Sequence, residues 1–132
     1  MSAQVNLVPN YSFEDTVICP TSISQIYNSL GWINPSSSIN SNPDYFNICG
    51  SISVNVPANA FGFQNAKTGN AYAGFYAYNT GFPNAYEYVE TMLSDTLQKD
   101  STYCVSFYLS LSENSGYCTT NIGVYFSNIL CN

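Results

Sequence analysis

The sequence predicts an all-β protein: an antiparallel β-sandwich of the jelly-roll type with one short helix near residues 23–30. Short apolar runs recur along the chain, and turn residues separate them at intervals of about ten residues. Strand signals do not alternate with long helical patterns, which argues against an α/β fold. The clearest strand pattern spans residues 103–111, where we expect the odd-numbered side chains to lie in the core between two sheets.

The helix is predicted from apolar residues that recur at helical spacing between residues 23 and 30. Ser22 and Gln25 have the spacing of a capping box, and Gly31 supplies a C-terminal stop. One or two turns of helix are therefore expected at the edge of the sandwich.

The remaining strands are predicted from shorter apolar or alternating runs. They cover residues 5–8, 45–49, 52–56, 60–64, 71–78, 85–93 and 122–126. Within residues 71–78, the even-numbered positions carry three tyrosines and the odd-numbered positions carry small or apolar residues, so the two sets face opposite sides. Residues 33–44 are rich in Asn, Pro and Ser and predict a surface loop.

Composition and charge restrict the partners. The chain has 132 residues, the length of one domain, and only 8% of them are charged. Lys67 and Lys99 are the only basic residues, and the net charge is −6. Nucleic acid and anionic membranes are disfavoured because both require clustered cations, whereas a neutral sugar is compatible. No stretch has the apolar length of a membrane span.

Catalysis is not expected. A Ser or Cys nucleophile normally needs a base, and the chain has no His. Glu87 and Glu90 fall on opposite faces of a strand, so they cannot flank one glycosidic bond, and Glu14 and Asp15 diverge similarly. The chain is therefore predicted not to be an enzyme.

Five cysteines suggest an oxidising compartment and a secreted protein. Cys19 and Cys49 flank a loop-rich segment and are the favoured disulfide pair. The pairing of Cys104, Cys118 and Cys131 stays open, and an odd total leaves at least one without an intrachain partner. Residues 1–4 are interpreted as the remnant of a cleaved signal peptide with an added Met, and residues 5–132 as a single domain.

The opening N-L-V-P-N-Y-S-F-E of residues 6–14, with Gly31-Trp32 following, resembles that of galactose-binding-like jelly-roll domains, which include carbohydrate-binding modules. Further motifs begin at Asp44, Gly69, Tyr103 and Asn121. They resemble N-terminal modules of surface proteins from gliding, Bacteroidetes-type bacteria that use the type IX export route. Tyr11 stands where such modules commonly have Pro.

The resemblance also implies strands beyond Ser127, the last of which commonly carries an Asp pair. The sequence stops at residue 132, so we expect a module that lacks its C-terminal strands or is completed by another segment or subunit. A missing strand would leave an open sheet edge that invites strand addition or self-assembly.

Glu14 and Asp15 are the candidate metal ligands. Calcium takes several oxygen ligands, and the resembling modules often hold a structural calcium near this Glu, with Gly31 close by. The alternative is that Glu14 hydrogen-bonds backbone amides and caps a turn.

Candidate sugar-binding residues are mostly aromatic, because aromatic faces stack on sugar rings. They are Trp32, Tyr72, Tyr76, Tyr78, Tyr86 and Tyr88, with Glu87 as a hydrogen-bonding partner. Core packing for Trp32 and cross-strand packing for the tyrosines are the alternatives.

Two functions follow. The first is a non-catalytic carbohydrate-binding or adhesion module at the bacterial cell surface, with a glycan or surface polysaccharide as partner. The alternative is a structural subunit of an extracellular fibre or sheath that self-assembles through an open sheet edge.

Overall fold

The computed structural model describes residues 5–38, 41–78, 81 and 86–131 of the chain, and its regular elements are short strands that pair antiparallel. The strands are β1 (Trp32–Ile33), β2 (Asp44–Asn47), β3 (Ala58–Asn59), β4 (Gly62–Phe63), β5 (Ala71–Gly74) and β6 (Glu90–Thr91). They form three two-stranded sheets, β1–β6, β2–β5 and β3–β4. Among the described residues there is almost no helix, which confirms the all-β class.

The β2–β5 pair is the centre of the fold. All four residues of β2 are buried, and successive side chains point to opposite sides. Tyr45 packs in one apolar cluster with Ile26 and Ala71. Phe46 packs in a second cluster, around Val54. Because both faces of β2 are covered, this strand lies between two small cores.

A buried polar network surrounds the Tyr45 hydroxyl. The hydroxyl donates to the carbonyl oxygen of Phe13 at 2.8 Å and accepts a hydrogen bond from the side-chain amide of Asn47, also at 2.8 Å. The Thr16 hydroxyl lies 2.6 Å away. Because every polar atom of this network has a partner, burial of the Tyr45 ring leaves no uncompensated hydroxyl.

Asn10 fastens the N-terminal loop to the segment before β1. Its side-chain amide donates to the carbonyl oxygens of Asp15 and Leu30, each at 2.9 Å, and its own oxygen accepts the Asp15 amide. The backbone carbonyl of Asn10 accepts the indole N–H of Trp32 at 2.9 Å. This one residue therefore joins residues 10–16 to residues 28–32.

The predicted helix over residues 23–30 is wrong: the structure has a single 3₁₀ turn at Ile26–Asn28. Ser24 adopts a left-handed backbone with φ of 65°, and its amide donates to Asp44 Oδ1 at 2.6 Å. Gln25 accepts the amides of Thr21 and Ser22, which is half of the predicted capping box. The Ile26 amide, which a helix capped at Ser22 would bond to the Ser22 carbonyl, instead donates to the carbonyl oxygen of Pro43 at 3.2 Å.

Some of the other predicted strands are present in the structure and some are absent. Residues 45–49, 60–64, 71–78 and 85–93 contain shorter strands, but residues 5–8 and 122–126 contain none. Residues 52–56 begin with a 3₁₀ turn, Ile52–Val54, because the Val54 amide bonds back to Ser51. The predicted signal-peptide remnant, residues 1–4, and the first residue of the predicted strand 85–93 lie outside the described residues.

The prediction of a buried central strand at residues 103–111 is wrong within this chain. The odd-numbered side chains are 40–59% exposed, from Tyr103 to Leu111. No backbone hydrogen bond joins these residues to another of the described segments. Alternation predicts which side chains share a face of a strand, but it does not supply the neighbouring strand that would bury them.

The disulfide between Cys19 and Cys49 is present, as predicted, with 5.5 Å between the Cα atoms. Cys104 and Cys118 are free and exposed, and Cys131 is free and half-buried. In the described part of the chain, no helix has the length and apolar character needed to cross a bilayer.

Replacing both Cys19 and Cys49 by Ser should lower the free energy of unfolding by about 3 kcal/mol, because the bond closes a loop of 30 residues in the unfolded chain. Urea unfolding of the oxidised protein measures the difference. Cys104→Ser, which alters a free exposed thiol, is the matched control. Equal stability of the double variant and this control would contradict the prediction.

Candidate functional site

A cleft of about 2650 Å³ collects most of the residues that the sequence singled out for sugar binding. Six of the seven line it: Trp32, Tyr72, Tyr78, Tyr86, Glu87 and Tyr88. Residues 102–109 and 121–131 line it as well. Small-molecule pockets usually have about 300–1,000 Å³, so this cleft has room for an extended ligand.

Three of the predicted tyrosines are accessible in the cleft, beside other exposed rings such as Tyr117 and Tyr125. Tyr78 is 59% exposed, Tyr86 is 47% exposed and Tyr88 is 56% exposed. Tyr78 meets Tyr117 edge to face, with 5.9 Å between the ring centroids. These rings can present a free face to a ligand.

Tyr76 is the one predicted member that does not line the cleft. Its ring lies edge to face with Phe61, with 5.8 Å between the centroids, and 43% of the residue remains exposed. Burial, followed by the negative charges of Asp44 and Glu87, raises the pKa of its hydroxyl. Tyr76 belongs to the edge of the second apolar cluster.

Trp32 and Tyr72 are packed into the fold as well as lining the cleft. The Trp32 ring stacks on Phe13 at 4.6 Å between centroids. Tyr72 stacks on Phe46 at 4.9 Å, and its hydroxyl accepts a bond from Asn59 at 2.7 Å. Both residues are half-buried, which matches the packing alternative for each ring.

Glu87 ties two segments together beneath the tyrosines. One carboxylate oxygen accepts the backbone amide of Tyr76 at 2.7 Å, and the other accepts the amide of Asn42 at 3.1 Å. The Glu87 amide in turn donates to the Tyr76 carbonyl at 3.2 Å. Burial raises the pKa of Glu87, and the two amide bonds oppose that rise. The Glu87 side chain therefore positions the backbone around the cleft.

Asp44 is a buried carboxyl group that sequence reasoning missed as a titrating residue. It is 4% exposed, at the start of β2, opposite Gly74 on β5. Burial raises its pKa to about 6; the Ser24 amide opposes the rise and the Glu87 charge adds to it. The sequence does hold a signal for a buried carboxyl group: Asp44 directly precedes the aromatic pair Tyr45-Phe46 of a predicted strand.

The predicted metal ligands Glu14 and Asp15 are both exposed. Glu14 Oε1 accepts the amide of Asn70 at 2.7 Å, as in the turn-capping alternative. Gly69 has a φ of 68°, and a side chain there would collide with the Glu14 carboxylate. The described residues contain no group of three or more His, Cys, Asp or Glu side chains placed to hold an ion. Calcium at Glu14 stays a prediction.

Comparison of the chain with protein-family models, with curated proteins and with solved structures finds no match.

The free energy of unfolding should fall as the pH rises from about 4 to 7. The pKa of Asp44 is about 6 in the folded protein and lower in the unfolded chain, so its contribution is fully present below the unfolded pKa and is lost as the pH rises through the folded one. Asp44→Asn should remove about 2–3 kcal/mol of this fall. Urea unfolding across that pH range measures it.

The control for that experiment is Asp100→Asn, since Asp100 is exposed. The same pH dependence in Asp44→Asn and in the unaltered protein would show that Asp44 does not titrate in this way.

Glu14→Ala should lower the free energy of unfolding by about 1 kcal/mol, because the Asn70 amide loses its acceptor. Glu14→Gln should restore most of the loss, since an amide oxygen can also accept this bond. Thermal unfolding with and without calcium separates the two interpretations. A calcium-dependent rise in melting temperature that both variants abolish would instead establish Glu14 as a metal ligand.

Proposed function

We propose that the chain is a non-catalytic extracellular module, of the jelly-roll type it resembles, that binds carbohydrate or mediates adhesion at a bacterial surface. The observation that carries the proposal is the convergence of Tyr78, Tyr86 and Tyr88, all exposed, on one cleft. Exposed tyrosines offer apolar ring faces and polar hydroxyl groups together, which suits a ligand with both kinds of surface.

The size and charge of the chain favour a neutral polymer as ligand. A cleft of about 2650 Å³ has enough volume for several sugar rings. The net charge of −6 repels phosphate and sulfate groups. One of the two lysines, Lys67, is occupied over the ring of Tyr108, 4.3 Å from its centroid. Binding would therefore depend on stacking and neutral hydrogen bonds rather than on ion pairs.

The carboxyl groups near the cleft hold backbone amides, which supports a binding role rather than a catalytic one. Glu90 and Asp95 line the cleft and accept the amides of Cys131 and Thr96. Both oxygens of Glu87 accept backbone amides, which holds the group in place. Asp44 is almost fully buried, so a ligand in the cleft would not reach its carboxyl group. Secretion is supported by the Cys19–Cys49 disulfide, since such bonds persist in oxidising compartments.

A structural subunit of an extracellular fibre or sheath is the second candidate. It is favoured by the apolar side chains of residues 103–111, which no other part of the described chain covers.

Tyr78→Ala and Tyr88→Ala should each weaken binding to a neutral polysaccharide about five-fold, since one aromatic stacking contact contributes roughly 1 kcal/mol. The affinity of the unaltered protein should change little between about 50 and 500 mM NaCl, because no ion pair is involved. Glycan arrays select the ligand, and affinity electrophoresis in gels containing it gives the dissociation constants.

Tyr27→Ala is the matched control, since Tyr27 is 62% exposed and does not line the cleft. Absence of binding to every neutral glycan, or equal weakening by the Tyr27 variant, would contradict the proposal.

A further inference from the structure

Residues 102–111 form a segment without regular secondary structure that lacks a strand partner among the described residues. Among the described residues, none of its backbone N–H or C=O groups bonds to another backbone group. Side-chain contacts alone hold the segment against the chain: Tyr108 lies under Lys67, and the Ser110 hydroxyl donates to Gln64. When the backbone groups of a strand-forming sequence have no partners, they can pair with a strand from another molecule.

The sequence of this segment is suited to a sheet interior rather than to a free edge. Residues 102–111 contain no charged residue, no Pro and no Gly. Natural free edges usually carry such residues to prevent pairing between molecules. Val105 is 49% exposed, Phe107 is 49% exposed and Leu109 is 55% exposed, so one whole apolar row faces solvent.

The accessible surface of the chain exceeds what a monomer of this mass should have. It measures 9465 Å² for 14.5 kDa. A monomeric protein of that mass has about 6,900 Å², so about 2,600 Å² is in excess. A stable interface covers about 800 Å² on each partner, and obligate dimers cover more. The excess is therefore large enough to supply a dimer interface.

We propose that a second copy of this chain covers the segment, and that residues 102–111 of the two copies pair as antiparallel strands across a two-fold axis. A two-fold axis places the same segment of each copy at the interface and makes the two strands antiparallel. Each copy thereby supplies partners for the backbone groups along one edge of the segment in the other copy. Residues 102–109 also line the cleft, but the pairing uses their backbone edges and does not require a bound glycan.

The side chains fix the register. Placing Phe107 on the axis sets Val105 opposite Leu109 of the other copy and Tyr103 opposite Leu111. Every apolar residue of the odd row then has an apolar neighbour across the pair. A shift by one residue would set this row against the polar even row, which contains Ser106 and Ser110.

The test uses the full chain with Cys104, Cys118 and Cys131 replaced by Ser, so that free thiols do not link the copies. Sedimentation equilibrium at about 1–200 µM should give a dimer that dissociates on dilution. Val105→Glu should raise the dimer dissociation constant at least about 100-fold, because a charge would be buried opposite Leu109. Ser106→Glu, the matched control on the other row, should change it less than about three-fold.

A second variant pair tests the register. Phe107→Cys should form a disulfide between copies on oxidation, because the two side chains meet at the axis. Tyr108→Cys should not, since position 108 lies opposite position 106 of the other copy. Amide hydrogen exchange should be slow at high concentration and fast on dilution for alternate residues of 103–111, those whose N–H groups face the partner strand.

A monomer at every concentration would overturn the proposal, as would a dimer that tolerates Val105→Glu. Slow exchange of residues 103–111 in a monomer would also overturn it, because the partner strand would then lie in the same chain. Cross-linking through position 108 instead of 107 would overturn the register.

Discussion

The rest of the described fold depends on the burial of β2 from both sides. Tyr45 and Phe46 are adjacent in sequence and face opposite clusters, so one strand contributes to two cores. The paired strand β5 makes this arrangement fit. Ala73 lies opposite Tyr45, and a side chain at Gly74 would collide with the Phe46 ring. Small residues on one strand therefore make room for large rings on the other.

The candidate site is built outward from this pair. β5 leads directly to Tyr76 and Tyr78, and Glu87 bonds to the Tyr76 backbone on both its amide and its carbonyl side. Asp44 begins β2 and accepts the Ser24 amide, which fixes the chain before the 3₁₀ turn at Ile26–Asn28. The carboxyl groups near the cleft thus organise backbone, while the tyrosines are left exposed to meet a ligand.

Residue types predicted the kind of contact that a side chain makes better than they predicted its partner. The capping role of Glu14 and the packing roles of Trp32 and Tyr72 were each among the alternatives that the residue types allowed. The helix was predicted wrongly because its periodicity ignores competition from elsewhere. Pro43 is distant from Ile26 in sequence, yet its carbonyl takes the amide that a helix capped at Ser22 would have used.

The sequence by itself determined the all-β class, the Cys19–Cys49 bond, the alternation along residues 71–74 and the accumulation of tyrosines in a chain with few charges. These properties follow from residue type and spacing, which act locally. Only the tertiary structure decided which strands found partners, that Asp44 would be buried, and that residues 103–111 would remain uncovered within one chain. Strand pairing and burial depend on distant segments, and one strand's alternation does not identify its neighbour.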